Sequence, residues 1–175
     1  DNDDDIKRFQ IRQTINEHLE KEVTYRLPHK DRGRIKVLSL FFIDKVSNYV
    51  NYEGKNRVRN GKYAKMFEEE YRFTLDEKID KESNPDRLAI LNEIKKYDLD
   101  KVHNGYFSND KATSFKDYTW DEKKKEYRLS SNEKKGEDAD TFNTIMRDKE
   151  KLLDLNNELR FIFSHSALKE GWDNP

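Results

Sequence analysis

Cysteine is absent from the sequence, and no long hydrophobic run is present. Without cysteine the chain has no disulfide, no thiolate ligand for zinc and no thiol nucleophile. No apolar stretch approaches the roughly 20 residues that cross a bilayer. The N-terminal sequence DNDDDIKR also lacks the charged-then-apolar pattern of a signal peptide. We therefore expect a cytoplasmic protein with no membrane contact.

An excess of charge of one sign is also missing. The formal net charge is −1, from 35 Lys and Arg against 36 Asp and Glu. The whole chain is therefore not a basic surface for nucleic acid, and any such contact must come from a local basic face or from backbone amides. Charged residues make up 41% and hydrophobic ones 33%, but 12% aromatic residues and several compact apolar runs favour a folded centre. The 175 residues predict one domain.

Signatures of an autonomous nucleotide or metal site are missing as well. There is no GxxxxGK[ST] loop, and the Gly-Lys pairs at 54–55 and 61–62 are followed by Asn and Tyr. Pro-Asp at 85–86 and Glu-Ile-Lys at 93–95 superficially match a nuclease pattern, but a helix start explains them better. The histidines lack metal-ligand spacing, so we expect no metal site.

Helical and strand patterns alternate along the chain. Residues 3–22 place Ile11, Ile15 and Leu19 four apart, as on an amphipathic helix. The apolar run IKVLSLFFI, residues 35–43, is too short for a buried helix and predicts a strand covered on both faces.

Further helices and strands are predicted downstream. The helices are a short one around Val46–Val50, one around Tyr63–Tyr71, one capped by Ser83 or Asn84 before Pro85, and one over Ala139–Leu155. The strands are DLDKVHNGYFS, with a turn at Asn104-Gly105, and ELRFIFS.

This order of elements predicts an α/β fold. Strands that alternate with helices form right-handed βαβ units and a parallel sheet, whose binding loops follow the carboxyl ends of the strands. We expect those loops after Ile43, Val102 and Phe163. Residues 109–136 interrupt the alternation with charged and turn residues, and they predict an exposed hairpin inserted on the surface.

The sequence FIFSHSALKEGWDNP, residues 161–175, resembles helicase motif V of superfamily 2, a strand followed by small or hydroxylated residues and then G-x-D-x-P. Gly171, Asp173 and Pro175 occupy the fixed positions of that motif, and Glu170 matches its EGxDxP variant. The segments KVLSLFFID and VHNGYFS resemble motif IV and a later histidine-glycine segment, in the expected order. The wording SHSALKEGWDNP is similar to the restriction (Res) subunits of type III restriction-modification enzymes.

The resemblance implies a partial second RecA-like helicase lobe over residues 35–175, after an N-terminal helix and linker over 1–34. It implies a whole protein that uses ATP and Mg²⁺ to move or communicate along double-stranded DNA, with a separate nuclease domain and a modification methyltransferase subunit as partner. The first lobe and the arginine-finger element would lie outside this chain. The chain alone is therefore expected to have no ATPase or endonuclease activity.

The resemblance also suggests which residues would act. Gly171 and Asp173 would bind nucleotide and couple its state to DNA. Hydroxyls, imidazoles and backbone amides can hold phosphates without reading sequence, and the residues expected to contact the DNA backbone are Ser164, His165, Ser166, His103 and Gly105.

Other interpretations stay open at this point. The EGxDxP variant also fits a superfamily 2 helicase outside restriction, such as a repair translocase. A non-catalytic interaction module, binding a protein through Tyr118, Trp120 and Tyr127, is a third hypothesis. For the motif V segment itself, the serines could only cap backbone groups, and Trp172 could be a core residue.

Overall fold

The structure is a computed structural model that describes residues 2–27, 35–53, 56–107, 118–121, 126–129 and 152–165. Twelve elements follow one another in these ranges: α1 (Asn2–Arg26), β1 (Ser39–Ile43), a 3-10 helix (Val46–Asn48), β2 (Asn51–Glu53), β3 (Asn56–Val58), α2 (Lys62–Lys81), α3 (Pro85–Lys95), α4 (Leu99–Val102), β4 (His103–Tyr106), β5 (Tyr118–Asp121), β6 (Glu126–Leu129) and β7 (Phe161–His165).

A three-stranded parallel sheet with flanking helices confirms the predicted α/β class. Its strand order is β1-β7-β4, so the strand that comes last in the chain lies in the middle. A RecA-like arrangement of this sheet stays a prediction.

The first strand is shorter than its apolar run. The prediction of a strand over 35–43, covered on both faces, is wrong in part, because β1 begins at Ser39 and Ile43 is its only buried residue. Before the strand, the chain is held by hydrogen bonds from the side chain of Lys36. Lys36 donates its side-chain amine to the backbone carbonyls of Asp154 and Asn157, at 3.1 and 3.0 Å.

A small hairpin follows the 3-10 helix, and the sequence did not predict it. Its strands β2 and β3 are antiparallel, with Asn51 opposite Val58 and Glu53 opposite Asn56. Gly61 follows the hairpin and donates its N–H to the carbonyl of Tyr49 at 3.0 Å. A Cβ at this position would overlap the backbone of Asn48, so only glycine permits so close an approach.

The predicted turn at Asn104-Gly105 is wrong. Both residues lie inside β4, and the residues just before that strand form the short helix α4 rather than extended chain. The local cause is Asp98, whose side chain accepts the N–H of Asp100 at 3.1 Å and so starts a helical turn.

The predicted hairpin is confirmed as an antiparallel pair of strands, whereas its place as an insertion on the surface stays a prediction. Strands β5 and β6 pair antiparallel, with Tyr118 opposite Leu129 and Trp120 opposite Tyr127. Of the helix predicted over Ala139–Leu155, residues 152–155 lie in the described range. Leu152 and Leu153 are helical, but Asp154 and Leu155 are not, so the predicted end of the helix is wrong. Leu152 is buried, whereas Leu153 is half exposed and does not face a core.

The chain divides into two compact units. Unit 1 contains Asp1–Ser39, Lys65–Asn104 and Glu150–Phe161, and unit 2 contains Leu40–Ala64, Gly105–Lys149 and Ile162–Pro175. The core of unit 1 includes Ile11, Ile15 and Leu19, as predicted for α1. The predicted lobe boundary between residues 34 and 35 stays a prediction. Within the described ranges, no helix is both long and apolar enough to cross a membrane.

Candidate functional site

Strand β7 forms the first five residues of the sequence that resembles motif V, and the side chains of its first four residues are buried. Phe161, Ile162, Phe163 and Ser164 are each almost completely inaccessible to solvent. The loop was expected to begin after Phe163, but the strand continues through Ser164 to His165, so the placement of His165 in a loop is wrong. The strand continues for two residues beyond Phe163, the last apolar residue of the run.

The Ser164 hydroxyl has no hydrogen-bond partner among the described residues. Leaving a buried hydroxyl unpaired costs about 1–3 kcal/mol. Direct contact with a DNA phosphate would require this hydroxyl to become exposed. The remaining predicted residues of the segment, Ser166, Gly171 and Asp173, lie outside the described residues, so their roles stay predictions.

His103 belongs to unit 1 and is completely buried. It was expected in a loop after Val102, but it is the first residue of β4, so that placement is wrong. Its Nε2 lies 3.1 Å from Oε1 of Glu68, and its ring lies 4.7 Å from the ring of Phe67, both on α2. Direct contact between His103 and DNA stays a prediction, and this burial argues against it.

Gly105 belongs to unit 2, where aromatic rings surround it. A Cβ on Gly105 would overlap the ring of Phe107 and would lie 2.9 Å from Cε1 of Tyr49. The ring of Tyr49 in turn stacks on Phe163, with centroids 4.3 Å apart. The Gly105 carbonyl accepts a hydrogen bond from Nη2 of Arg57 at 3.1 Å. The structure thus gives Gly105 a packing role, and its contact with DNA stays a prediction.

A buried ionic cluster lies in unit 1, and we call its members Glu22, His18, Arg26 and Arg160 the Glu22 cluster. Glu22 accepts hydrogen bonds from Arg26 Nη2 at 2.7 Å and Arg160 Nε at 2.8 Å, and its other oxygen lies 3.1 Å from His18 Nε2. Burial alone would raise the pKa of Glu22, but its bonds to His18 and Arg160 and the charge of Arg26 outweigh burial and lower the pKa to about 2. Glu22 is therefore ionised at neutral pH.

Arg160 joins this cluster to the sheet. Its guanidinium also donates to the carbonyls of Asn157, Leu159 and Leu155. Its own N–H donates to the Val102 carbonyl at 2.8 Å, and its carbonyl accepts the Ser39 N–H at 2.9 Å. Arg160 is therefore held through both its side chain and its backbone, one residue before β7.

Lys36 is a further buried cation among the described residues of unit 1. Burial, followed by the charge of Arg160, lowers the pKa of its amine to about 8. Across the described part of the chain, no group of three or more His, Asp or Glu side chains is arranged to hold a metal ion.

Comparison with known proteins links the whole chain to restriction enzymes. Matches covering 94% of the chain are the EcoPI Res subunit of Escherichia phage P1, at 38% identity, and the EcoP15I Res subunit of Escherichia coli, at 34%. The StyLTI Res subunit of Salmonella typhimurium matches the same share of the chain at 30% identity. All three are named as type III restriction-modification enzymes. The chain belongs to the type III Res subunits.

This assignment to the Res subunits confirms the family that motif V suggested. The chain spans 14–16% of the length of these relatives, so it corresponds to one segment of a Res subunit. No protein-family model and no solved structure matches it.

Sequence reasoning on this Res segment missed the Glu22 cluster. One signal was available, because His18, Glu22 and Arg26 are spaced four residues apart and therefore share one face of α1. The contribution of Arg160, which lies 138 residues from Glu22, has no local signal.

Proposed function

We propose that the chain is part of the second RecA-like lobe of the ATP-dependent DNA-translocating motor of a type III restriction endonuclease. The observation that carries this proposal is the position of β7. It is the central strand of a parallel sheet and continues directly into the sequence that resembles motif V. In open parallel sheets, ligands bind beyond the carboxyl ends of the strands.

In this proposal the residues after β7 connect nucleotide and DNA. Gly171 lets the backbone approach the nucleotide closely, and the Asp173 carboxylate accepts a hydrogen bond from it. His165, Ser166 and the neighbouring backbone amides hold the phosphates of double-stranded DNA without reading its sequence. Hydrolysis or exchange of the nucleotide then changes the affinity of these residues for DNA.

The whole protein would supply what this segment lacks. ATP and Mg²⁺ would bind mainly to the first lobe, a separate domain would cut DNA, and a modification methyltransferase subunit would be the partner that recognises the site. The names of the relatives support this assignment, since each is the Res subunit of a restriction-modification enzyme. The chain alone has no phosphate loop, so its own ATPase activity should be indistinguishable from background.

The test uses single changes in a full-length Res protein that carries this segment. Asp173→Ala should lower ATP turnover, or its stimulation by DNA, about tenfold, since losing a hydrogen bond to a charged group costs about 1.5–3 kcal/mol. Ser166→Ala should leave turnover at saturating DNA unchanged and weaken DNA binding about tenfold, for the same reason. Steady-state ATPase assays and DNA titrations separate the two effects.

Ser164→Ala and a matched pair of serine changes complete the design. Because Ser164 is buried in β7, its replacement should alter melting more than DNA binding. Ser130→Ala and Ser131→Ala, in a polar stretch well upstream of motif V, should alter neither melting nor DNA binding. Normal ATPase, DNA binding and cleavage in stable Asp173→Ala and Ser166→Ala variants would refute the motif V assignment.

A further inference from the structure

We propose that Glu22 of α1 is a positioning residue for the motor, because it fixes the start of β7 through Arg160. The proposal rests on the proposed function, because it assigns a role to a residue outside motif V. The N-terminal helix α1 would then contribute to the function of the motor.

The first step compares the local and the distant partners of Glu22. Two of its partners, His18 and Arg26, lie one turn away on α1 itself and would be available in an isolated helix. Arg160 is the distant partner, and both members of this pair are almost completely buried. The contact that depends on the tertiary fold is therefore the one to the residue before β7.

The second step is the geometry at Arg160. Its backbone N–H is bonded to Val102, the residue before β4, and its carbonyl to Ser39, the first residue of β1. Its guanidinium is bonded to Glu22 and to the carbonyls of the preceding turn. A shift of this side chain would therefore move the point from which the central strand begins.

The third step concerns why a charged pair is used at a buried place. Replacing a buried ion pair by well-packed apolar residues is often neutral or stabilising. Stability alone therefore does not require Glu22 and Arg160. An ion pair with several directional hydrogen bonds does fix orientation, which apolar contacts do far less well.

The experiment measures DNA-stimulated ATP hydrolysis in a full-length Res protein that carries this segment. Glu22→Gln keeps the shape of the side chain and removes its charge. We expect the DNA concentration for half-maximal stimulation to rise about tenfold, because small displacements of binding groups have effects at least this large.

Glu20→Gln is the matched control on the same helix. Glu20 forms ion pairs with Lys78 and Arg87, at 2.6 and 2.8 Å, and no contact with Arg160 is found for it. This variant should show the wild-type DNA dependence. An equal defect in the Glu20 and Glu22 variants would mean that α1 acts through general stability, and the proposal would be wrong.

A second variant separates positioning from folding. The double change Glu22→Met, Arg160→Met removes both charges of the pair but leaves Arg26 without its carboxylate partner, so its melting temperature is measured beside that of Glu22→Gln. We expect it to keep the DNA-binding defect. A stable double variant with the wild-type DNA concentration for half-maximal stimulation would overturn the proposal. Unfolding of both Glu22→Gln and the double variant would also overturn it, since the cluster would then serve stability alone.

The two proposals fail in different ways. A wild-type protein without any DNA-stimulated ATPase would refute the proposed function. A wild-type protein with stimulation, together with a folded Glu22→Gln variant that responds normally to DNA, would refute the positioning role and leave the proposed function intact.

Discussion

Gly105 illustrates how a single residue was predicted for one reason and is used for another. The sequence drew attention to it because it follows His103 in VHNGYFS. The structure places it in β4, where the rings of Phe107 and Tyr49 leave no room for a Cβ. The local sequence shows the glycine but not all of the rings packed against it, because Tyr49 comes from a distant part of the sequence.

Gly105→Ala should therefore destabilise the protein by about 1–3 kcal/mol, the usual cost of inserting a carbon into packed surroundings. Urea denaturation followed by aromatic fluorescence would measure the change. Gly136→Ala, in the predicted surface insertion, is the matched control and should have little effect. An unchanged midpoint for Gly105→Ala would mean that the Phe107 ring moves aside freely.

At the scale of elements, local signals were sufficient for the long helices α1, α2 and α3 and insufficient for α4 and for the bounds of the strands. The start of α3 was predictable, because its cap and Pro85 are adjacent in sequence, and the structure selects Asn84 over Ser83 as the cap. Strand β4 was placed too early, since its pairing depends on β7 some 60 residues later. The β2-β3 hairpin is too short to produce a period-two pattern.

Asn84→Ala should weaken the start of α3. Oδ1 of Asn84 accepts the N–H groups of Asp86 and Arg87, at 2.9 and 3.2 Å, and losing such a cap costs about 1 kcal/mol. Thermal melting followed by circular dichroism is a suitable measurement. Ser83→Ala should leave the melting temperature unchanged, and a larger loss in that variant would assign the cap to Ser83 instead.

At the scale of the whole molecule, the sequence predicted the family and the parallel sheet, and it left the site incomplete. Motif V was recognisable because its residues are contiguous, and similarity over 94% of the chain to Res subunits confirms the family. The burial of Ser164 and His103 was not predictable from the local sequence. His103, for example, lies against Phe67 and Glu68 of α2, which are distant in the sequence.

The inserted hairpin offers a test at this scale. Strands β5 and β6 pair with each other and with no strand of the three-stranded sheet. Replacing residues 109–136 by a short linker should therefore preserve cooperative melting, because shortening a loop costs little. Replacing residues 51–58, which carry β2 and β3, by the same linker is the comparison. Loss of cooperativity on removal of 109–136 would show that this stretch completes a core.

The pairing of Glu22 with Arg160 also constrains how the chain acquires its structure during synthesis. The two residues are separated by 138 positions, and ribosomes add about 5–20 residues per second. Glu22 is therefore synthesised roughly 7–28 seconds before its distant partner. Until then its carboxylate has only His18 and Arg26, on its own helix, as cluster partners, so the buried cluster is incomplete. Final docking of α1 is consequently a late event, coupled to the appearance of the last strand.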